Sequence, residues 1–318
     1  MNRILVVGGA GYIGGYLVDV LRKKSECEVT VFDSLLYESR YLKDVDFIFG
    51  DIRDTTLLKK TLKSFDTVIW LAALVGDGAC QVDVELTHEV NTNSVKWLAD
   101  NFSGKIVFTS TCSIYGVNHE LISEDAKPNP LSAYASSKLE AEQYLFNTHK
   151  DSLIFRLGTL FGLGDTYSRV RLDLVLNVLI QRASAGKPLD VFGGDQWRPL
   201  LHVKDVAHAV EYCLDGKVSG LYNLSACNMR IRDMAEAIKA AIPNTSIRYE
   251  SIKFEDMRNY RVSTERILAQ GWRPKFSIND GIAEMQKVFS EKRLINENDP
   301  VYSNVAYLKS IYNAEGGK

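Results

Sequence analysis

The stretch Arg3-Ile4-Leu5-Val6-Val7-Gly8-Gly9-Ala10-Gly11-Tyr12-Ile13-Gly14 decides the fold of this chain. Residues 3–7 are a short apolar run of the kind that forms a strand buried on both faces. A glycine-rich turn follows, and residues 12–24 read as an amphipathic helix. A strand that enters a helix through such a turn aims the free N–H groups of the helix N-terminus outward, where they suit a pyrophosphate. The glycines allow the tight turn, the close approach of backbone to phosphate and the packing of helix on strand. Asp33 ends the next predicted strand, 28–32, at about the 20-residue offset at which a carboxylate holds a ribose 2′-hydroxyl. That carboxylate repels a 2′-phosphate, so the pattern favours NAD over NADP, with Arg40 the one nearby group that would serve NADP.

Working outward, two periodicities alternate. Strands are predicted at 47–49, 67–71, 105–108 and 153–157, and helices at 55–62, 85–101 and 132–149. Alternation of this kind predicts an α/β fold with a doubly wound parallel sheet and helices on both faces. Beyond residue 158 the rhythm loosens. Helices are predicted at 172–185, 203–214, 231–241 and 278–291, with short strands at 189–192 and 220–223. The expected organisation is a first domain over 1–160 and a smaller α/β lobe over 161–318, some of whose chain crosses back.

The 318 residues carry a net charge of −2, 46% hydrophobic and 25% charged residues, an ordinary globular mix. No global basic field advertises nucleic acid or an anionic membrane, and no stretch approaches a membrane span. The five cysteines, Cys27, Cys80, Cys112, Cys213 and Cys227, form no CxxC pair. Neither a disulfide framework nor a metal site is expected, and a reducing cytoplasmic setting fits.

Tyr134-Ala135-Ser136-Ser137-Lys138 carries the chemistry. Four residues apart on a helix, Tyr134 and Lys138 share one face. A phenol loses its proton near pH ~10 and is a poor base at neutrality. A neighbouring ammonium favours the phenolate and brings that value down. One helical turn can therefore hold a base for an alcohol.

Gly8-x-x-Gly11-x-x-Gly14 together with Tyr134-x-x-x-Lys138 resembles the extended short-chain dehydrogenase/reductase family, in its branch acting on nucleotide-diphosphate sugars. The resemblance covers nearly the whole chain and implies a Rossmann-type fold with NAD held by Gly8, Gly11, Tyr12, Ile13, Gly14 and Asp33. It places Asp51 and Ile52, in Gly50-Asp51-Ile52-Arg53-Asp54, at the adenine. Leu71, Ala72 and Ala73 would run along the cofactor, with Asn91 as buttress. Thr109-Ser110-Thr111-Cys112-Ser113-Ile114-Tyr115-Gly116 matches the segment that supplies the third catalytic residue, Thr111, beside Tyr134 and Lys138. Arg198, in Trp197-Arg198-Pro199-Leu200-Leu201-His202-Val203-Lys204-Asp205, and Arg258 sit where arginines meet the substrate diphosphate. His202 is expected to be a structural hydrogen-bonding residue. A homodimer through helices 85–101 and 132–149 is implied as well.

Departures from the family pattern narrow the reaction. The 4,6-dehydratases of this family carry an Asp-Glu pair directly after the residue matching Thr111. Here Cys112 and Ser113 stand there, facing the substrate, so loss of water is not expected. Thr159 replaces the usual asparagine after the sixth strand, and the loop from Val75 differs from that of common epimerases. In Ser168-Arg169-Val170-Arg171-Leu172-Asp173, the two arginines suit phosphate, and Asn177 follows on the helix. The expected activity is NAD-dependent oxidation of a nucleotide-diphosphate sugar at C4. It proceeds as an epimerase when the hydride returns. It is a 4-dehydrogenase, of a type acting on GDP-linked heptose, or a ketoreductase when it does not. A non-catalytic NAD-sensing module is the alternative from another class, and the retained Tyr134 and Lys138 argue against it.

Overall fold

The computed structural model of the chain describes residues 1–216, 218–250 and 258–315. Its centre is a seven-stranded sheet. From edge to edge the strands are Gly220–Leu224, Ser152–Leu157, Lys105–Thr111, Thr67–Trp70, Asn2–Val7, Cys27–Asp33 and Asp46–Phe49. Every pairing in it is parallel. The strand period of two divides the apolar run at its start between two cores. Ile4 and Val6 pack with Leu17, Val18, Val206 and Val210 on one face. Leu5 and Val7 pack with Trp70, Leu98, Phe108 and Leu145 on the other. This sheet is the doubly wound fold expected from the alternation of elements.

The edge strand Gly220–Leu224 comes from beyond residue 161, and the helix Val203–Asp215 buries Val206 and Val210 against the first helix, Gly14–Leu21. A separate core gathers Phe161, Leu176, Ile180, Leu200, Met234, Ile238 and Met285. Small sheets flank it: Thr159–Phe161 with Trp197–His202 and Cys227–Arg230, and Leu189–Phe192 with Ile247–Glu250.

The helix predicted over 85–101 is broken into Val84–His88, a π-helical turn Glu89–Asn93, and Ser94–Asn101. A π turn admits one extra residue and re-aims the side chains it carries. Here it turns Asn91 inward. The helix predicted from 172 starts at Val175, because Arg171 is paired with Asp173 and Leu174 is extended. Among the elements with no counterpart in the sequence reading are the strand Val117–Ile122, which pairs with Asn259–Val262, and a C-terminal helix Asn304–Glu315. No helix among the described residues is long and apolar enough to cross a membrane.

Candidate active site

A cleft of about 660 Å³ opens along the glycine turn at the C-terminal edge of the large sheet. Gly8 has φ +84°, and a Cβ there would lie 2.5 Å from the amide nitrogen of Ala72. A Cβ at Gly14 would lie 2.5 Å from the carbonyl oxygen of Gly8. Both positions therefore require glycine, and the bare backbone they leave is the cradle a pyrophosphate needs. Ala10, Gly11, Tyr12, Ile13 and Gly14 line the cleft on this side. The Tyr12 hydroxyl donates to the carbonyl of Gly162 at 2.6 Å, which pins the turn to the second half of the chain.

Asp33 closes the same end. Its carboxylate accepts from the Ala10 amide at 3.0 Å and the Leu35 amide at 2.8 Å. Burial pushes its pKa up against those bonds. Asp51 and Ile52 line the cleft further along, with Asp51 held below its usual pKa first by the Arg53 side chain, which binds it through Nη2 at 2.7 Å. Leu71, Ala72 and Ala73 form the floor. A nicotinamide dinucleotide fits these groups: a backbone cradle, a carboxylate beside it and an apolar floor. Replacing Asp33 by Ala is expected to weaken NAD about 10-fold or more, as loss of a charge-assisted hydrogen bond does, while NADP changes little. Parallel titration of the two cofactors checks this, and equal losses would remove Asp33 from the ribose.

The helix Ala133–Thr148 is capped by Ser132, whose Oγ accepts from the Ala135 amide at 3.1 Å. This cap starts the helix one residue before Tyr134 and so sets where the phenol points. Thr111 ends the strand Lys105–Thr111, and its hydroxyl, which accepts from the Ser113 amide at 3.1 Å, lies near that of Tyr134. Burial raises the phenol above its ordinary range, and the Thr111 hydrogen bond and the Arg171 charge act in the other direction. Lys138 is 2% exposed, and burial pushes its ammonium down to about 7. Its Nζ lies 4.1 Å from the Phe108 ring centroid, a cation–π contact that holds it against the sheet. Thr111, Tyr134 and Lys138 thus come together.

Asn91 ties this helix to the cofactor floor. Its side chain accepts from the Leu74 amide at 2.8 Å and donates to the Leu74 carbonyl at 2.9 Å and to Ser137 Oγ at 3.1 Å. A second group surrounds the catalytic helix from the other side. Arg258 Nη1 lies 3.0 Å from Asp77 and donates to Ser113 Oγ at 3.4 Å. Asp77 accepts from Ser132 Oγ at 2.6 Å. Arg198 donates through Nη1 to the backbone carbonyl of Arg258. Arg198, Arg258 and Ser113 are therefore brought to one place. Asp77, in the loop from Val75 that departs from the family pattern, joins them.

Other residues expected at the substrate are placed elsewhere. Cys112 is fully enclosed, its thiol donating to the Arg156 carbonyl at 3.1 Å, so it does not face a sugar. Asn177 is fully enclosed too, bonded to Gly162 and to the Arg171 carbonyl. The two neighbouring arginines both line the cleft. Arg171 pairs with Asp173 at 2.6 Å. Arg169 stacks on Tyr37, 4.0 Å from the ring centroid, and donates to the Val301 carbonyl and Asn304. Val75 lines the cleft and accepts from Asn304 at 2.8 Å. Thr159 is partly exposed at the start of its strand. His202 has no exposed surface and bonds Glu284 and the Lys204 amide, as a structural residue does. Tyr37, Glu38, Asn304, Leu308, Ile311 and Tyr312 also line the cleft. The helical spacing of the last four was the only signal for them in the sequence. Among the described residues no cluster of His, Cys, Asp or Glu is placed to hold a metal ion.

The profile of the NAD dependent epimerase/dehydratase family matches residues 4–225. The low-salt glycan biosynthesis protein Agl12 of Haloferax volcanii is 27% identical over 303 residues, covering 88% of this chain and 96% of that protein. UDP-glucuronic acid decarboxylase 5 of Arabidopsis thaliana is 27% identical over 320 residues, covering 93% and 92%. The solved structure of Thermus thermophilus UDP-glucose 4-epimerase in complex with NAD superposes with a TM-score of 0.77 at 27% identity, covering 91% of this chain and 99% of that one. Cleft, catalytic helix and sequence profile agree, and the chain belongs to the NAD dependent epimerase/dehydratase family of enzymes.

Proposed function

We propose that the protein is a nucleotide-diphosphate-sugar 4-epimerase. The observation that carries this reading is the gathering of Thr111, Tyr134 and Lys138, with Tyr134 packed against Leu74 of the cofactor cleft, and with Cys112 and Ser113 in place of an acid–base pair. Thr111 and Tyr134 hydrogen-bond the C4 hydroxyl, and Tyr134 takes its proton as general base. Bound NAD would supply the hydride acceptor. Lys138 holds the phenolate. Cys112 is buried as a thiol with its pKa raised by desolvation, and Ser113 is a hydroxyl, so neither drives elimination of water. Tyr134 would then return the proton to the C4 oxygen as hydride goes back from the reduced cofactor to the opposite face of the C4 carbonyl, which would complete inversion.

Arg198 and Arg258 are read as the diphosphate site. An Arg198→Ala variant is expected to raise KM for a nucleotide sugar about 10-fold or more, with kcat changed far less, since a charge-assisted hydrogen bond is made equally to ground and transition states. Steady-state kinetics check this, and an unchanged KM would put Arg198 outside the site. We read the protein as a cytoplasmic enzyme of polysaccharide biosynthesis, dimerising through the exposed faces of Ser94–Asn101 and Ala133–Thr148. Incubation with a panel of UDP-, GDP-, CDP- and dTDP-sugars, with NMR of the products and cofactor absorbance followed together, tests the reaction. Inversion at C4 without net NADH formation supports the epimerase. Stoichiometric NADH with an accumulating 4-ketose would instead make it a dehydrogenase, and release of carbon dioxide from a uronate a decarboxylase.

A further inference from the structure

The helix Asn304–Glu315 lies across the cofactor cleft, and residues from it form the wall opposite the glycine turn. Asn304, Leu308, Ile311 and Tyr312 face the same cavity as Gly8–Gly14, Asp33 and Asp51–Arg53. The helix is fastened on both sides of that cavity. At its start the Asn304 amide donates to Asp173 at 2.8 Å, and the Asn304 side chain donates to the Val75 carbonyl at 2.8 Å. Arg169 reaches over from beneath to the Val301 carbonyl at 2.7 Å and to Asn304. Tyr307 packs on Tyr37, ring centroids 5.3 Å apart. Midway, Leu308 is buried with Leu74, Ala79 and Cys80. Near its end the Tyr312 hydroxyl donates to Asp83 Oδ2 at 2.6 Å.

Three features of this arrangement point the same way. The contacts join the helix to Tyr37, shortly after Asp33, and to the segment 75–83, and residues of both line the cleft. Its cavity-facing residues Leu308 and Ile311 are apolar, which suits the flat face of a base more than a phosphate. Ile311 and Tyr312 share the cavity with Asp51, Ile52 and Arg53, whose guanidinium lies within electrostatic reach of the Tyr312 phenol, so the far end of the helix covers the adenosine end, while Leu308 packs in the cluster that also holds Tyr134.

We propose that the helix Asn304–Glu315 is a strap forming the outer wall of the adenosine half of the NAD site, latched by Tyr312 on Asp83. The cofactor leaves only when the latch opens and the helix lifts. The inference rests on the reading of this cleft as an NAD site, and it deepens the epimerase reading: an enzyme that returns its hydride to the same sugar gains from a cofactor that stays through many turnovers.

The test is the dissociation rate of NADH from the purified full chain, followed by fluorescence after mixing the loaded protein with excess NAD. No sugar and no turnover are involved. Tyr312→Phe removes only the latch hydroxyl and is expected to release NADH about 5- to 10-fold faster, in keeping with one charge-assisted hydrogen bond that is partly exposed to solvent. A chain ending at Asp299, which lacks the whole strap, is expected to release it faster still. Rates within about two-fold of the parent in Tyr312→Phe, with circular dichroism confirming an unchanged fold, overturn the strap while leaving the cleft an NAD site. A parent protein that holds no NADH overturns both readings together.

Discussion

Tyr134→Phe is expected to lower kcat by about 10³-fold, in the middle of the 10²–10⁴ range for loss of a positioned general base. NAD affinity should stay within about three-fold, because the phenol ring remains and the cradle is backbone. The ring packs with Leu74, Ala79 and Cys80, all of which a phenylalanine satisfies equally. What disappears is the hydroxyl placed near Thr111 at the end of the strand Lys105–Thr111. Steady-state kinetics on the preferred nucleotide sugar, with cofactor binding measured in parallel, separate chemistry from assembly. Near-normal turnover would take Tyr134 out of the proton transfer.

Arg156→Met is expected to cost about 3–5 kcal/mol of folding stability, the penalty for leaving a buried charge without its partner. Arg156 binds both carboxylate oxygens of Glu142 through Nε at 3.1 Å, and its Nη2 lies 2.5 Å from Oε1. Its Nη1 donates to the Tyr115 hydroxyl at 2.6 Å and the Glu124 carbonyl at 2.9 Å. Arg156 and Glu142 are 4% and 2% exposed, so no water replaces the lost partner. The network lies directly behind Thr111 and the catalytic helix, and it reaches the edge strand through the bond from Tyr115 to Asn223 at 2.8 Å. Urea midpoints at constant slope measure the loss. Adding Glu142→Gln to Arg156→Met should recover part of it, because the uncompensated charge is then gone. A single variant within about 1 kcal/mol of the parent would show that the pair contributes little.

The first half of the fold was legible because its strands are continuous apolar runs and its glycine turn has one structural meaning. Gly8 and Gly14 have no room for a side chain, and that constraint is written directly in the sequence. Asp33 follows from its offset from that turn, Tyr134 and Lys138 from their spacing on one helical face, and Thr111 only from the family resemblance. The second half was harder to read. Thr159–Phe161 and Cys227–Arg230 are only three and four residues long, too short to show a period. Arg169 and Arg171 are equivalent as residue types, and only Asn304, far along the chain, gives one of them a partner different from that of the other. The burial of Cys112 depends on Arg156 behind it, which no local pattern announces. The loop from Val75 stood out in the sequence, but the partners of Asp77 within it, Ser132 and Arg258, come from distant parts of the chain.

The edge strand Gly220–Leu224 has a bearing on how the chain is made. Its five residues pair in parallel with Leu153–Leu157. Until residue 224 has left the ribosome, Ser152–Leu157 is the last strand of an unfinished sheet, with a row of unmet hydrogen-bonding groups along its side. Such a strand is a template for pairing with other chains, and parallel sheets whose partners are distant in sequence close slowly. The 62 residues between Leu157 and Gly220 are therefore synthesised while that edge is open, and the sheet that carries the glycine turn closes only with a strand from beyond residue 161.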